Sequence, residues 1–600
     1  MILSLIVIVV AGMIAYIWSA RGFFSSFLHM LCVIAAGAIS FALWEPLALW
    51  MLSSDTSQGG TLIDLAWGVA LGVPFAIILT ILRVACDKIV PFNLDFDGPA
   101  NLVGGLGCGA VSGTITAGIL VMSVGFTRLD TEFLGHKPVI YSTSGGSLVR
   151  GSGLYFPADK LTAWFYGALS NGTLVPTSSD AQSRPFSLGR MHPELADEGP
   201  MLRVNWEDGK AKSTLPPSAF EVLARQKFEP ANAPESLFGD SFEVNRKDTF
   251  EYLTGEKASA ANSYIESFVV RFKAGAKEQS GRIVVGTGQI RLLVQRDAND
   301  PYSTMSITPV SVVSQATGDK PLYGRWRYNA PNVFISSVGG RDDAPMAFEF
   351  VTPKGATPIA LYVKGVRFDV SAMQPSAAYS SQTARDDAIR SGAYVPTTQA
   401  KPIEWGRAVK MKGDTASLGD STLVIRQQMP FSVTLQKDIL YGLEVDDTNS
   451  ISGGGLAKFD KKDIAPFGTD AKLQVRKFSV SDDTNIVQVI MDGKNKQFGF
   501  LSDAAAGYDR EAAPVVVDSS GQQYSAIGYV YKGAGQTWIY FNPQAPLKST
   551  IDRELPILTR SQPDQELVLI FRVSKNVKIK GVAIGSQGLV EFQKPEPEVK

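Results

Sequence analysis

Three histidines (His29, His136 and His192) and three cysteines (Cys32, Cys86 and Cys108) are all the imidazole and thiol this 600-residue chain offers for chemistry. Any Ser–His or Cys–His mechanism must use one of those three rings, and a histidine-rich metal centre is excluded. Every cysteine lies in or beside an apolar run, so the long C-terminal part has neither a disulfide framework nor a thiolate zinc site. No phosphate-binding P-loop, H-E-x-x-H or G-x-S-x-G is present. Acidic loops at Asp297–Asp300 and Asp446-Asp447 lack the spacing and terminal glutamate of a calcium-binding EF-hand, and read as solvated turns. Ser142–Ser147, STSGGS, has the composition of an anion-binding backbone nest, though a plain loop explains it as well. No catalytic, cofactor-binding or metal-binding set is therefore assigned. The net charge of −1 leaves no field to attract nucleic acid.

The elements that must position these residues fall into two unlike parts. Residues 1–125 hold four apolar spans: Ile2–Trp18, Phe23 to about Leu49, Leu62–Ala85 and Asn101–Gly125. Each approaches the ~20 residues that a bilayer crossing needs. The first lacks the positive n-region of a secretory signal, and Trp18 stands where a small residue would precede cleavage, so a retained helix is expected. Arg21, Ser25 and His29 share one face of the second span, and Asp64 sits at the mouth of the third; these are the intramembrane polar residues. Pro74 predicts a kink in the third span. In the fourth, Gly105, Gly109, Gly113 and Ala117 recur every four residues and form a smooth helix-packing strip. Gly105-x-Gly107-x-x-Ala110 also fits a dinucleotide fingerprint, but no strand precedes it and no acid follows at the required distance. Arg21, Arg83 and Lys88 flank the first and third connections and the second has no Lys or Arg, which places both termini outside the cytoplasm.

Four spans, an Arg21-Gly22-Phe23 turn into the second and an Asn101-Leu102-Val103-Gly104-Gly105 entry into a glycine-spaced last span resemble the colicin V production protein (CvpA) family. The resemblance covers residues 1–125. It implies a four-helix protein of the bacterial inner (cytoplasmic) membrane with a role in colicin V (toxin) production, secretion or envelope maintenance. Some proteins with such a membrane part carry a trypsin-like protease. Here Gly419-Asp420-Ser421 is followed by Thr422-Leu423 where two glycines belong, and neither His136 nor His192 follows an Ala-Ala pair. The triad reading fails.

The remainder is expected to be mainly β. Residues 126–260 read as a mixed α/β junction, with helices at Asp159–Ser170 and Phe220–Phe228 and with Trp164, Phe165 and Tyr166 as core or interfacial anchors. From Ser263 the period becomes two. Residues 261–370 read as a β-sandwich, 371–400 as a linker, 401–465 as a small β module or extension, 466–590 as a second sandwich and 591–600 as a disordered tail. Three pairs suggest duplication: Pro309–Val313 with Pro514–Val517, Tyr323-Gly324 with Ile527-Gly528, and Phe350 and Lys354 with Phe571 and Lys575.

The expected whole is a membrane-anchored multidomain protein: a four-helix transmembrane region followed by tandem β-sandwich domains, non-enzymatic and with the C-terminal region periplasmic. Its expected partners are the lipid bilayer, envelope proteins or peptides bound by the β domains, and a second copy through the glycine-spaced helix. The alternatives are an oligomeric transporter or channel using His29 and Asp64, and a membrane-anchored hydrolase.

Overall fold

The computed structural model describes residues 2–54, 61–94, 96, 98–142, 147–174, 186, 189–230, 250–259, 261–278, 280–300, 302–316, 322–330, 333–341, 343–396, 402–413, 423–431, 433–437, 442–460, 474–492, 512–550, 554–556, 558, 562 and 564–600. The centre of STSGGS and Gly419-Asp420-Ser421 lie outside them.

Four helices come first: α1 (Ile2–Ser19), α2 (Phe23–Ser54), α3 (Thr61–Ile89) and α4 (Gly98–Gly125). All four are long and apolar enough to cross a membrane. α3 continues as one helix through Pro74, which has no N–H to donate to the ladder, and α2 likewise contains Pro46. The connections after α1 and α3 share one end of the bundle, where Asn93 Nδ2 donates to the Arg21 carbonyl (3.0 Å) and Asn101 Oδ1 accepts from the Phe23 amide (2.6 Å). The β region adjoins the other end.

A hairpin (Lys137–Tyr141 and Leu148–Ser152) and helices α5 (Ala158–Asn171) and α6 (Leu195–Leu202) form the junction. α5 lies against the bundle. Tyr166 is fully buried over Gly37 of α2 and donates to the Ile34 carbonyl (3.0 Å), while Trp164 on the far face is 57 % exposed. One tip of the aromatic triplet is thus core and another faces out.

Phe220–Phe228, FEVLARQKF, is a strand and not a helix. Its helix-tolerant composition is overridden by pairing along Ser263–Phe272, whose residues are almost all buried. It joins a six-stranded sheet in the order Ala377–Tyr379, Phe220–Phe228, Ser263–Phe272, Ala344–Pro353, Ser311–Ala316, Leu322–Arg327. A four-stranded sheet (Val366–Asp369, Thr357–Val363, Ile290–Gln295, Thr304–Ile307) packs against it. Two stretches read as single strands are each broken in two. Met305–Val313 changes sheets between Ile307 and Ser311. Ala360–Phe368 turns at Lys364-Gly365, both with positive φ, as a tight hairpin requires.

The second sandwich repeats this plan strand for strand. Leu423–Ile425, Thr484–Asp492, Glu566–Ser574, Gly528–Gly533 and Gln536–Phe541 occur in the order of strands two to six of the first large sheet. Gln587–Gln593, Ile579–Ile584, Pro514–Asp518 and Gln523–Ser525 match the small sheet. The nine equivalent strands also follow one another in the same chain order, so the two sandwiches share one topology. Of the three sequence pairings, only Phe350 with Phe571 falls on equivalent strands (Ala344–Pro353 and Glu566–Ser574). The other two join non-equivalent strands: Ile527-Gly528 opens the counterpart of Ser311–Ala316, not of Leu322–Arg327, and Pro514–Asp518 is the counterpart of Ile290–Gln295 in the small sheet, because apolar β segments resemble one another irrespective of position.

Three boundaries move. The first sandwich starts at Phe220, within the segment assigned to the junction. The expected linker 371–400 is not a linker: Ala377–Tyr379 adds an edge strand, and α7 (Gln382–Ser391) with Tyr394 and Val395 covers the outer face of the large sheet. The expected disordered tail is held, with Val599 fully buried and Asn485 Nδ2 donating to the Lys600 carbonyl (2.9 Å). Strands within 435–478 cover the outer face of the second large sheet, so the 401–465 module is an extension of that sandwich.

One apolar core runs without interruption from Phe41, Trp44 and Trp67 of the helices into Phe268, Leu292, Phe348 and Leu361 of the first sandwich. The second sandwich has its own cores. It is clipped to the first by Arg282–Asp483 (2.6 Å), by the Gly339 amide on Asp483 (2.9 Å) and by Arg572 on the Ser280 carbonyl (2.7 Å).

Candidate functional site at the helix–sandwich junction

A buried cluster of ionisable groups lies where α2 meets the first sandwich. Glu45 of α2 accepts from Arg190 Nη2 (3.2 Å) and from Arg367 Nε and Nη2 (3.2 Å each). Arg190 is fully buried among three rings, its guanidinium carbon 4.9 Å from Trp44, 5.0 Å from Trp67 and 5.4 Å from Tyr362. It also reaches Glu198 (3.4 Å), which Arg291 approaches at 3.1 Å. Arg291 stacks on Tyr362 and donates to Ser306 (2.7 Å). His192 contacts Glu194 (3.3 Å) and the Tyr362 hydroxyl (3.4 Å). Thr304 donates to Glu194 (2.9 Å).

Local sequence explains the placement. Trp44 Nε1 donates to the Trp67 carbonyl (2.8 Å), and Trp67 Nε1 to Thr214 (2.9 Å), so the two indoles lock α2, α3 and the junction together. They give Arg190 aromatic faces to lie on. Alternation along Thr357–Val363 and Val366–Asp369 brings Tyr362 and Arg367 to the same cluster. Burial disfavours the Arg190 charge, but Glu45 foremost, then Tyr362 and Glu198, outweigh it and hold its pKa above the ordinary value. Burial pushes the Tyr362 phenol up. Three guanidiniums thus face Glu45 and Glu198, while His192 and Thr304 face Glu194. The cluster ties α2 to the junction and to the first sandwich through Glu45.

The sequence-predicted residues fall elsewhere. Gly105, Gly109, Gly113 and Ala117 face Ser19, Ala15, Ala11 and Val7 of α1, an antiparallel pair of small-residue rows. A Cβ on Gly109 would stand 2.7 Å from the Ala15 carbonyl oxygen. Arg21, Ser25 and His29 gather at the end of the bundle away from the sandwiches. His29 stacks on Trp18 (3.8 Å), Arg21 and Arg83 each lie 4.7 Å from the Trp18 ring, and Arg83 donates to Ser25 (3.3 Å) and pairs with Asp87. Asp64 is at the opposite end, paired with Arg128 (2.6 Å). The structure therefore does not bring His29 and Asp64 together. Asp297 and Asp446 accept backbone amides two residues on, as turn-forming aspartates do.

Asp64 and Arg128 also line a polar cavity of about 330 Å³ between the junction, the first sandwich and the 442–454 segment. There Lys212 donates to the Lys277 carbonyl (2.6 Å) and to Gln544 of the second sandwich (3.2 Å). Burial lowers its pKa to about 8 against the opposing pull of Glu278. A cavity of about 610 Å³ lies beside the hairpin, lined by Tyr141, Trp206 and Phe334 among others. Among the described residues, no group of three or more His, Cys, Asp or Glu is arranged to hold a metal ion.

One edge of the first large sheet is exposed. In Leu322–Arg327, Leu322 is 60 % and Trp326 47 % exposed, although Val312, opposite Trp326, is buried. Sequence reasoning passed over Glu45, Arg190 and Arg367. Glu45 carried a signal: it is the one acid within the second apolar span. Arg190 and Arg367 carried none, since nothing local marks a surface-type arginine for burial.

No family model, no curated protein and no solved structure matches this chain. Its helices mark it as a membrane protein, and its β region as a pair of sandwiches with one topology.

Proposed function

We propose that this chain is an anchored binding platform of the bacterial inner membrane. The four helices hold it in the bilayer, and the two sandwiches stand outside the cytoplasm and bind envelope proteins or peptides without performing catalysis. The resemblance to the colicin V production family, and with it a role in secretion or envelope organisation, is part of this proposal. The observation that carries it is the shared core and the Glu45–Arg190–Arg367 cluster, which fix the first sandwich to α2 as one body. A merely tethered domain has no need to bury charges against its anchor. Arg21, Arg83 and Lys88 at the far end of the bundle favour that end as cytoplasmic. Leu322–Arg327, an edge strand with exposed Leu322 and Trp326, has the character of a surface that accepts an added peptide strand.

The test is in-cell photocrosslinking from position 322. The proposal expects a discrete envelope partner whose capture is lost in Trp326→Ala while protein level is unchanged. Equal capture in Trp326→Ala, or none from any exposed position of either sandwich, contradicts it.

A further inference from the structure

Beside the first turns of α1 and the last turns of α4 lies a cavity of about 270 Å³ that nothing above uses. This is close to the lower end of small-molecule sites, ~300 Å³. Its walls are apolar: Leu3, Ile6 and Val10 of α1 face Leu120 and Val124 of α4, and Leu134 adds to the lining. Ile6, Leu120 and Val124 are 40–44 % exposed, so the cavity opens on the outer face of the bundle. α1 has 18 residues and is ~27 Å long, slightly less than a ~30 Å hydrocarbon core, so neither end projects far beyond it. Its first turns therefore sit at the boundary of the leaflet on the side of the sandwiches.

The rest of the lining is of another kind. His136, Asp159 and Arg203 all belong to the junction and are 95 % buried or more. Among the described residues, Arg203 Nε and Nη1, His136 Nδ1 and Asp159 Oδ1 have no hydrogen-bond partner. Two of the neighbouring carboxylates are engaged elsewhere. Asp208 accepts from the amide and hydroxyl of Thr131, and Asp197 pairs with Arg150 (2.9 Å) and lies 3.9 Å from Lys160. Burial lowers Arg203 to about 10, with Asp208 and Asp130 opposing, so it is still a cation at neutral pH. Burial likewise favours neutral His136 and raises Asp159. A buried guanidinium with two idle N–H groups is costly unless an anion meets it.

We infer that this cavity binds one anionic phospholipid of the adjoining leaflet, its phosphodiester on Arg203 and an acyl chain between α1 and α4. A free phosphate would engage Arg203 and leave the apolar wall without purpose. A zwitterionic lipid would fill the wall and bring a phosphodiester, but it would set its headgroup cation against the same buried guanidinium. Only an anionic amphiphile satisfies both. The inference rests on α1 to α4 spanning the bilayer.

The test reconstitutes the full chain in phosphatidylcholine nanodiscs with phosphatidylglycerol carrying a diazirine in its acyl chain. The matched phosphatidylcholine probe is used at equal mole fraction. At Leu3–Val10 and Leu120–Val124, the anionic probe should label about tenfold more than the neutral one, the ratio one charge-assisted hydrogen bond confers. Arg203→Gln should bring the two probes level. Leu120→Trp, which fills the groove without touching the polar groups, should lower labelling by the anionic probe, and both variants are checked by elution in detergent. Equal labelling by both probes in the wild type, or anionic labelling that survives both variants, overturns the inference and leaves ordinary boundary lipid. Displacement by inorganic phosphate shows a free-anion site and overturns it too. Labelling of Ile77 and Ile81 on the exposed face of α3 reports separately on bilayer insertion. Its absence would mean that the membrane reading itself has failed.

Discussion

Glu45 sits on a membrane-length helix, yet its carboxylate serves two arginines from beyond that helix, Arg190 of the junction and Arg367 of the first sandwich. Breaking a buried pair by removing one partner costs ~3–5 kcal/mol, because the partner stays buried and charged. Glu45→Gln should therefore lower the thermal unfolding midpoint in detergent by that equivalent; a change under ~1 kcal/mol would mean that water reaches the cluster. Glu349 supplies a pH test within the sandwich. Burial alone would raise it, but Arg325 and Arg385, with the Ser311 hydroxyl, hold it at about 2. Burial draws Arg325 down as well, yet it stays charged wherever Glu349 titrates. A depressed carboxylate contributes stability above its unfolded value, near 4.5, and loses it as pH falls toward 2. Stability of the first sandwich should drop by roughly 3 kcal/mol across that window. Glu349→Gln, followed by acid titration of tryptophan fluorescence, should flatten this limb and lower stability at neutral pH. Little at this scale could be read beforehand. The glycine row was visible because its spacing alone defines a face, whereas the partners of Glu45 lie about 145 and 322 residues away in the chain.

Among the elements, the pairing of α1 with α4 depends on small residues on both sides, Ala11, Ala15 and Ser19 against Gly113, Gly109 and Gly105. Gly109→Leu forces a side chain into the Ala15 carbonyl and should separate the helices, seen as a lower unfolding midpoint and aggregation on size exclusion in detergent. Unchanged behaviour would mean that the two helices do not need this contact. The row was predicted as a packing strip, but the matching row on α1 was not, since alanine and serine within an apolar run draw no notice. Phe220–Phe228 shows the opposite limit. Its residues suit a helix, and only Ser263–Phe272, some forty residues on, makes it a strand. Elements whose register is set within themselves were legible, and those set by a distant partner were not.

At the scale of the molecule, the division into helices and a mainly β remainder followed from hydropathy and from the density of short strands, and repetition from three sequence matches. The shared strand order could not be read from those cues, because two of three sequence matches linked strands that are not equivalent. The fusion of helices and first sandwich was hidden too, since a core built from both looks in sequence like two separate cores. The picture is of a bundle with one sandwich fixed to it and a second clipped to the first, all on the side away from Arg21, Arg83 and Lys88. A single measurement tests it most directly: a reporter enzyme active only outside the cytoplasm, fused after Lys600 and assayed in intact cells beside a cytoplasm-only reporter at the same position. High activity of the first and none of the second is predicted. The reverse pattern would place the sandwiches in the cytoplasm and contradict the account of an extracytoplasmic binding platform.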